Sequence, residues 1–208
     1  MQVVIVEDQA IIRGLLESCF RAEDGFNVAA SVPGARQAVE LCDRLPVDLV
    51  LMDVQTAGRE NGLAAVRRIK CAHPDIKVVV VTSLVDGAVL EQARRVGADS
   101  LWYKDAAQTR LMEVVRQTLE GGRVFPDAPP TVMIGTAKST DFTKAEMKVL
   151  RLLIRGMSYT RIARELGIEP TTVKFHVANM LEKTNLENKL QLALAVSSEK
   201  LVVELNDE

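Results

Sequence analysis

Five short apolar runs punctuate the first 120 residues, and each is followed by a segment of helical period. QVVIVE (2–7), NVAAS (27–31), DLVLMD (48–53), KVVVVTS (77–83) and SLWYK (100–104) read as strands. Between and after them, 9–23 carries Ile11, Ile12, Leu15, Leu16, Cys19 and Phe20 at helical spacing, and 35–45 carries Ala38, Val39, Leu41, Cys42 and Leu45. Further helices are expected over 63–72, stopped by Pro74, over 86–96, closed by Gly97, and over 109–120, closed by Gly121 and Gly122. Strands this rich in Val and Leu, joined through helices, predict a doubly wound five-stranded parallel sheet covered on both faces. Ligands of such sheets bind at the carboxyl ends of the strands.

The residues at those ends are polar and chemically complementary. Glu7 and Asp8 close the first run, Asp53 the third, Thr82 the fourth and Lys104 the fifth. Burying an unpaired carboxylate is costly, so an acid at the tip of a buried strand needs a counter-charge, a metal or solvent. Three clustered carboxylates suit a hard divalent cation, and Mg2+ (or Mn2+) binds through one or two carboxylates plus a phosphoryl oxygen. Lys104 adds a point positive charge and Thr82 a hydroxyl. Such a pocket is suited to phosphoryl transfer, with Asp53 as the nucleophile that forms an acyl phosphate. A phosphohydrolase would need a second acid soon after the nucleophile, and position 55 is Gln.

Behind this region the pattern changes. Residues 121–140 contain three prolines and three glycines and read as a linker. After it only helical patterns follow. Thr143 with Glu146 forms a capping-box signature; a short segment ending at Gly167, a turn and a longer segment from Pro170 make a helix-turn-helix pattern. Charge divides along the same line. Residues 1–137 hold 15 Lys and Arg against 18 Asp and Glu, net −3, whereas residues 138–200 hold 11 against 7, net +4. A basic rear behind an acidic front points to nucleic acid at the rear.

No apolar run reaches the ~18 residues of a membrane span, and MQVVIVEDQA lacks a basic leader, so neither membrane nor secretion is expected. Three scattered cysteines, Cys19, Cys42 and Cys71, predict reduced thiols and a cytoplasmic setting. His73 and His176 stand too far apart to suggest zinc.

The string VVIVEDQ, LVLMD, VVVVTS, GADSLWYKD resembles the flavodoxin-like receiver domain of two-component response regulators over residues 1–120. The resemblance implies Glu7, Asp8 and Asp53 as the metal set, with the backbone carbonyl of Gln55 as a further ligand. It implies Asp53 as the phosphoacceptor, Thr82 and Lys104 as phosphate contacts, and a phosphohistidine on a sensor histidine kinase as the donor. The chain departs from the family in two places. After the acceptor, Thr56-Ala57 replaces the usual Met-Pro and Gly62 falls nine residues on, a longer and less rigid loop. Leu101 stands where relatives carry a switch aromatic, with Trp102 and Tyr103 displaced from it. Because Trp102 and Lys104 are two apart, strand alternation puts both on one side and predicts a buried Trp102.

Residues 141–204 resemble the LuxR-type (NarL/FixJ-type) helix-turn-helix domain through Thr143/Glu146, Gly156/Ser158, Ile162/Ala163 and Thr172/Val173/Lys174/His176. The resemblance implies an all-α DNA-binding domain whose second motif helix enters the major groove of double-stranded DNA. Thr171, Thr172, Lys174, Phe175 and Asn179 are the candidate groove residues, beside a small Ala178, and Thr143, Lys144, Arg161 and Lys183 the candidate phosphate contacts. Val173, Val177, Met180 and Leu181 recur at core spacing. The last helix, with Leu190, Leu192, Ala193, Leu194 and Val196, is more apolar than its own core needs, and the resemblance implies a homodimer contact there. The expected function is a transcriptional regulator, not an enzyme, controlled by phosphorylation of Asp53. The alternative is a transcription factor whose receiver serves as a phosphorylation-independent dimerisation or partner-binding module.

Overall fold

The computed structural model describes residues 1–104 and 108–202, which divide into two compact units: 1–83 with 87–128, and 84–86 with the chain from Pro129 onward. The first unit contains β1 (Gln2–Val6), α1 (Ala10–Arg21), β2 (Asn27–Val32), α2 (Ala35–Arg44) and β3 (Leu49–Asp53). A two-stranded ribbon, β4 (Gln55–Thr56) and β5 (Glu60–Asn61), comes next. Then follow α3 (Gly62–Ala72), β6 (Lys77–Thr82), α4 (Gly87–Arg95), β7 (Ser100–Tyr103) and α5 (Gln108–Leu119). The main sheet is parallel throughout, in the order β2-β1-β3-β6-β7. From β1 the chain first adds β2 on one side and then β3 on the other. The switch point therefore lies between β1 and β3, where doubly wound sheets open a crevice.

Every residue of β3 is buried, which is why its sequence is continuously apolar up to the terminal acid. Val3, Ile5, Leu49, Leu51, Val79, Val81 and Trp102 form one core with Leu16 and Phe20 of α1 and Leu111, Met112 and Val115 of α5. The alternate positions Val4, Val50, Met52, Val78, Val80 and Leu101 are equally buried on the opposite face. The expected burial of Trp102 is thus found, and Leu101 lies on the other side of the sheet from it.

The second unit begins where the sequence suggested a linker. Residues of that stretch form a short ribbon, β8 (Met133–Ile134) and β9 (Ala137–Lys138), with Ile134 and Ala137 in the unit's core. Four helices follow: α6 (Lys144–Ile154), α7 (Tyr159–Leu166), α8 (Pro170–Thr184) and α9 (Lys189–Ser198). They enclose Val149, Leu150, Leu153, Ile162, Val173, Val177, Met180, Leu192 and Val196. The capping box forms as read: Glu146 N–H donates to Thr143 Oγ1 (3.2 Å) and Thr143 N–H to Glu146 Oε2 (2.7 Å). α7 ends on Gly167 at φ +66°, the left-handed cap that lets the chain turn into α8, whose first residue is Pro170. The helix-turn-helix region expected to reach 204 is described as far as residue 202.

Candidate functional site

Glu7 and Asp8 follow β1, Asp53 ends β3, Thr82 ends β6 and Lys104 follows β7, so the sheet delivers all five to its carboxyl edge. Lys104 Nζ stands 2.7 Å from Asp53 Oδ2 and 2.5 Å from Glu7 Oε2. Its backbone N–H also donates to the carbonyl of Thr82 (2.9 Å), which ties the end of β7 to that of β6. Glu7, Asp53 and Thr82 are buried and Asp8 is exposed, so the pocket is deep on one side and open on the other. Burial pushes the Asp53 carboxyl up to about 6; the Lys104 ammonium pulls it down, and Glu7 raises it again. Burial alone would lower Lys104, but the Asp53 and Glu7 carboxylates outweigh it and hold the ammonium above the ordinary lysine value. One oxygen from each of Glu7, Asp8 and Asp53 lies within 4.8 Å of the others. That hard-oxygen set fits a small divalent cation.

The loop after Asp53 differs from expectation. Its extra length is folded into the β4–β5 ribbon, with Gln55 opposite Asn61, Thr56 opposite Glu60 and Gly58 at φ +73° taking the turn. The ribbon is tied down: Ala57 N–H donates to the carbonyl of Pro33 (2.9 Å), and Ala35 N–H to Thr56 Oγ1 (3.2 Å). The Glu60 carboxylate accepts from Arg36 N–H (2.9 Å), supplying the start of α2 with the cap its own sequence lacks. Gln55 N–H lies 3.4 Å from Asp53 Oδ1, so Gln55 sits at the pocket.

Two further residues shape the pocket: Arg13, which the sequence does not single out, and Gly62, whose place after the acceptor the sequence marks but whose packing partner it does not. Arg13 of α1 donates through Nη1 to the carbonyls of Glu7 (2.7 Å) and Asp8 (3.4 Å), fixing the turn that carries both acids. Gly62 packs so closely on the strand end that a Cβ there would lie 1.9 Å from the carbonyl oxygen of Asp53. An arginine one turn into a helix and a glycine after a loop are the only signals, and neither names its partner in advance.

In the second unit α8 buries Val173, Val177 and Met180 and turns Thr171, Thr172, Lys174, Phe175 and Ala178 outward, with His176 and Asn179 half-buried. Thr143, Lys144 and Arg161 are exposed. Leu181, expected in the core, is only partly buried and packs at its edge. Lys183 is the exception among the candidate phosphate contacts. Its ammonium donates to both Glu146 oxygens (2.9 and 2.7 Å) and to the carbonyl of Asp141 (3.0 Å), so it serves the fold.

Residues 3–116 match the family described as "Response regulator receiver domain", and residues 140–196 the one described as "Bacterial regulatory proteins, luxR family". The chain is a LuxR-type response regulator. The regulator is 28% identical to the transcriptional regulatory protein LnrK of Bacillus subtilis strain 168, covering 93% of this chain and 95% of LnrK. It is 26% identical to DesR of the same strain (96% and 98% covered). It is 28% identical to the response regulator protein VraR of Staphylococcus epidermidis strain RP62A (97% and 99%). Among solved structures it shares its fold with two RcsB dimers bound to two parallel DNAs (TM-score 0.65, 19% identity, 95% and 98% covered). A second neighbour is an RcsB–DNA complex (TM-score 0.63, 20% identity, 95% and 98%).

The carboxyl-edge acids thus lie within the residues matched to the receiver domain, and α7 and α8 within those matched to the luxR family. No helix among the described residues is long and apolar enough to cross a membrane.

Proposed function

We propose that Asp53 takes a phosphoryl group from a phosphohistidine of a sensor histidine kinase, and that this controls binding of the second unit to double-stranded DNA. The observation that carries the reading is Lys104, whose ammonium joins Asp53 to Glu7 at the carboxyl edge of the sheet. Glu7, Asp8, Asp53 and the backbone carbonyl of Gln55 would hold Mg2+ (or Mn2+), which supplies charge neutralisation for an in-line displacement. Asp53 attacks phosphorus through a carboxylate oxygen, and the donor histidine leaves with the electrons of the P–N bond. Lys104 offsets charge on the transferred group, and the Thr82 hydroxyl meets it. The regulator acts on transcription and not as an enzyme toward other molecules; its three free thiols suit a cytoplasmic setting.

In the second unit we assign groove contacts to Thr171, Thr172, Lys174, Phe175 and Asn179 and backbone contacts to Lys144 and Arg161. On α9, Leu192 and Val196 face the core while Leu190 and Leu194 are 66% and 63% exposed one turn apart, a dimer face for two copies of the chain. Leu101, buried where relatives carry a mobile ring, favours a second reading in which the receiver works without phosphorylation. The test is Asp53→Asn. In Mg2+ with a small phosphodonor the variant should take up no label, and genome-wide DNA occupancy should fall relative to wild type. Full labelling mapped to another residue would overturn the assignment of Asp53; unchanged occupancy would favour the second reading.

A further inference from the structure

Phe175 stands out among the five phenylalanines. Phe20 and Phe142 are buried, Phe26 and Phe125 half-buried, and Phe175 is 62% exposed on α8. The ring contributes nothing to the core that Val173, Val177 and Met180 make on the other side of the helix. Thr171 and Ala178, four residues before it and three after it, are exposed on the same side. The three form an apolar strip about 10 Å long, the rise of about three base pairs. Its contents are a methyl, an aromatic ring and a methyl.

The major groove offers one apolar group to such a strip, the C5-methyl of thymine, and Ala, Thr methyl and Phe are the side chains that meet it. The rest of α8 points the same way. Guanine is read chiefly by Arg or Lys, and α8 contains no arginine. Of its two lysines, Lys183 is held by Glu146 and Asp141, which leaves Lys174 beside the strip. We infer that α8 reads thymine methyl groups, so that the preferred duplex carries A·T pairs where Phe175 and Ala178 meet the groove. The inference rests on the DNA-binding reading above and adds to it the chemistry by which sequence is told apart.

The test uses the full chain with beryllofluoride and Mg2+ to select duplexes from a random library. The best duplex is then resynthesised with deoxyuridine replacing thymine, one position at a time, which removes the methyl and keeps the pairing. Loss of a contacted methyl should weaken binding about threefold to tenfold. In Phe175→Ala, which removes a ring lying outside the core, one of these positions should lose its sensitivity to the missing methyl. Selected sites with G·C pairs at the centre of each half-site, or full affinity for duplex made wholly with deoxyuridine, would overturn the inference and leave DNA binding standing. Failure to bind or enrich any duplex would overturn the DNA-binding reading itself, and this inference with it.

Discussion

Gly62 and Asp53 meet backbone to backbone: a Cβ on Gly62 would sit 1.9 Å from the Asp53 carbonyl oxygen and 3.2 Å from Met52 Cγ. Strand and helix are both buried there, so neither can retreat cheaply. Gly62→Ala should destabilise the regulator by about 1–3 kcal/mol and depress labelling of Asp53; a variant with wild-type melting and labelling would refute the close packing. Asp53 itself makes stability depend on pH. Its carboxyl lies at about 6 in the folded protein against 3.8 ordinarily, so the folded state keeps a proton that the unfolded chain has released. The stabilisation is fully present below about pH 4 and is lost as pH rises through about 6, on the order of 3 kcal/mol. Urea unfolding without divalent metal should therefore show lower stability near neutral pH than near pH 5, with Mg2+ restoring more at the higher pH. Asp53→Asn should flatten the slope. A strand apolar up to its last residue made Asp53 legible; the contacts that hold it in place were not, because Arg13 acts through carbonyls and Gly62, though visible as a glycine after the loop, acts through the side chain it lacks.

At the scale of the element, what depends on neighbours along the chain was readable and what depends on distant partners was not. The capping box of α6 is a four-residue pattern, Thr143 to Glu146, and it formed. The same Glu146 has a second partner, Lys183, 37 residues away on α8, and no local pattern announces it. Lys183 was therefore expected on the DNA, where a lysine on a helix-turn-helix so often sits. Lys183→Met should lower stability by about 1–3 kcal/mol, because Glu146 is left buried without its cation, and should leave the salt dependence of DNA binding unchanged. Lys174→Ala should do the reverse, keeping the melting temperature and weakening specific DNA binding by about 1–3 kcal/mol as a groove contact, or lowering the salt slope by about one if its contact is to phosphate. The pairing of effects decides: a lower slope with unchanged melting in Lys183→Met would return that residue to the interface. The loop after Asp53 follows the same rule. Thr56, Ala57 and Glu60 are anchored by Pro33, Ala35 and Arg36, partners that its own sequence does not disclose.

For the whole molecule, the question is how firmly phosphorylation is linked to assembly. Leu101 is buried and lacks a ring to turn inward, while Trp102 is fixed in the opposite core. We therefore expect loose coupling: measurable dimer without phosphorylation, tightened tenfold or less, about 1.4 kcal/mol, by beryllofluoride in Mg2+. Sedimentation gives the two dissociation constants, and a hundredfold gain would show that the switch does not need the aromatic. A different kind of adaptability follows from the β8–β9 ribbon. Thr136 donates through its N–H to the carbonyl of Thr184 and through its hydroxyl to that of Lys183, both at 3.0 Å, while Gly135 lies against the same Thr184 carbonyl. The last carbonyls of α8 are thereby held from behind, far along the helix from Thr171 and Phe175. A helix clamped at its heel keeps its angle when its toe is altered. On the groove contacts proposed above, substitutions at Thr171, Phe175 or Ala178 would change which bases are preferred without re-aiming the helix, and a lineage would acquire new targets one side chain at a time.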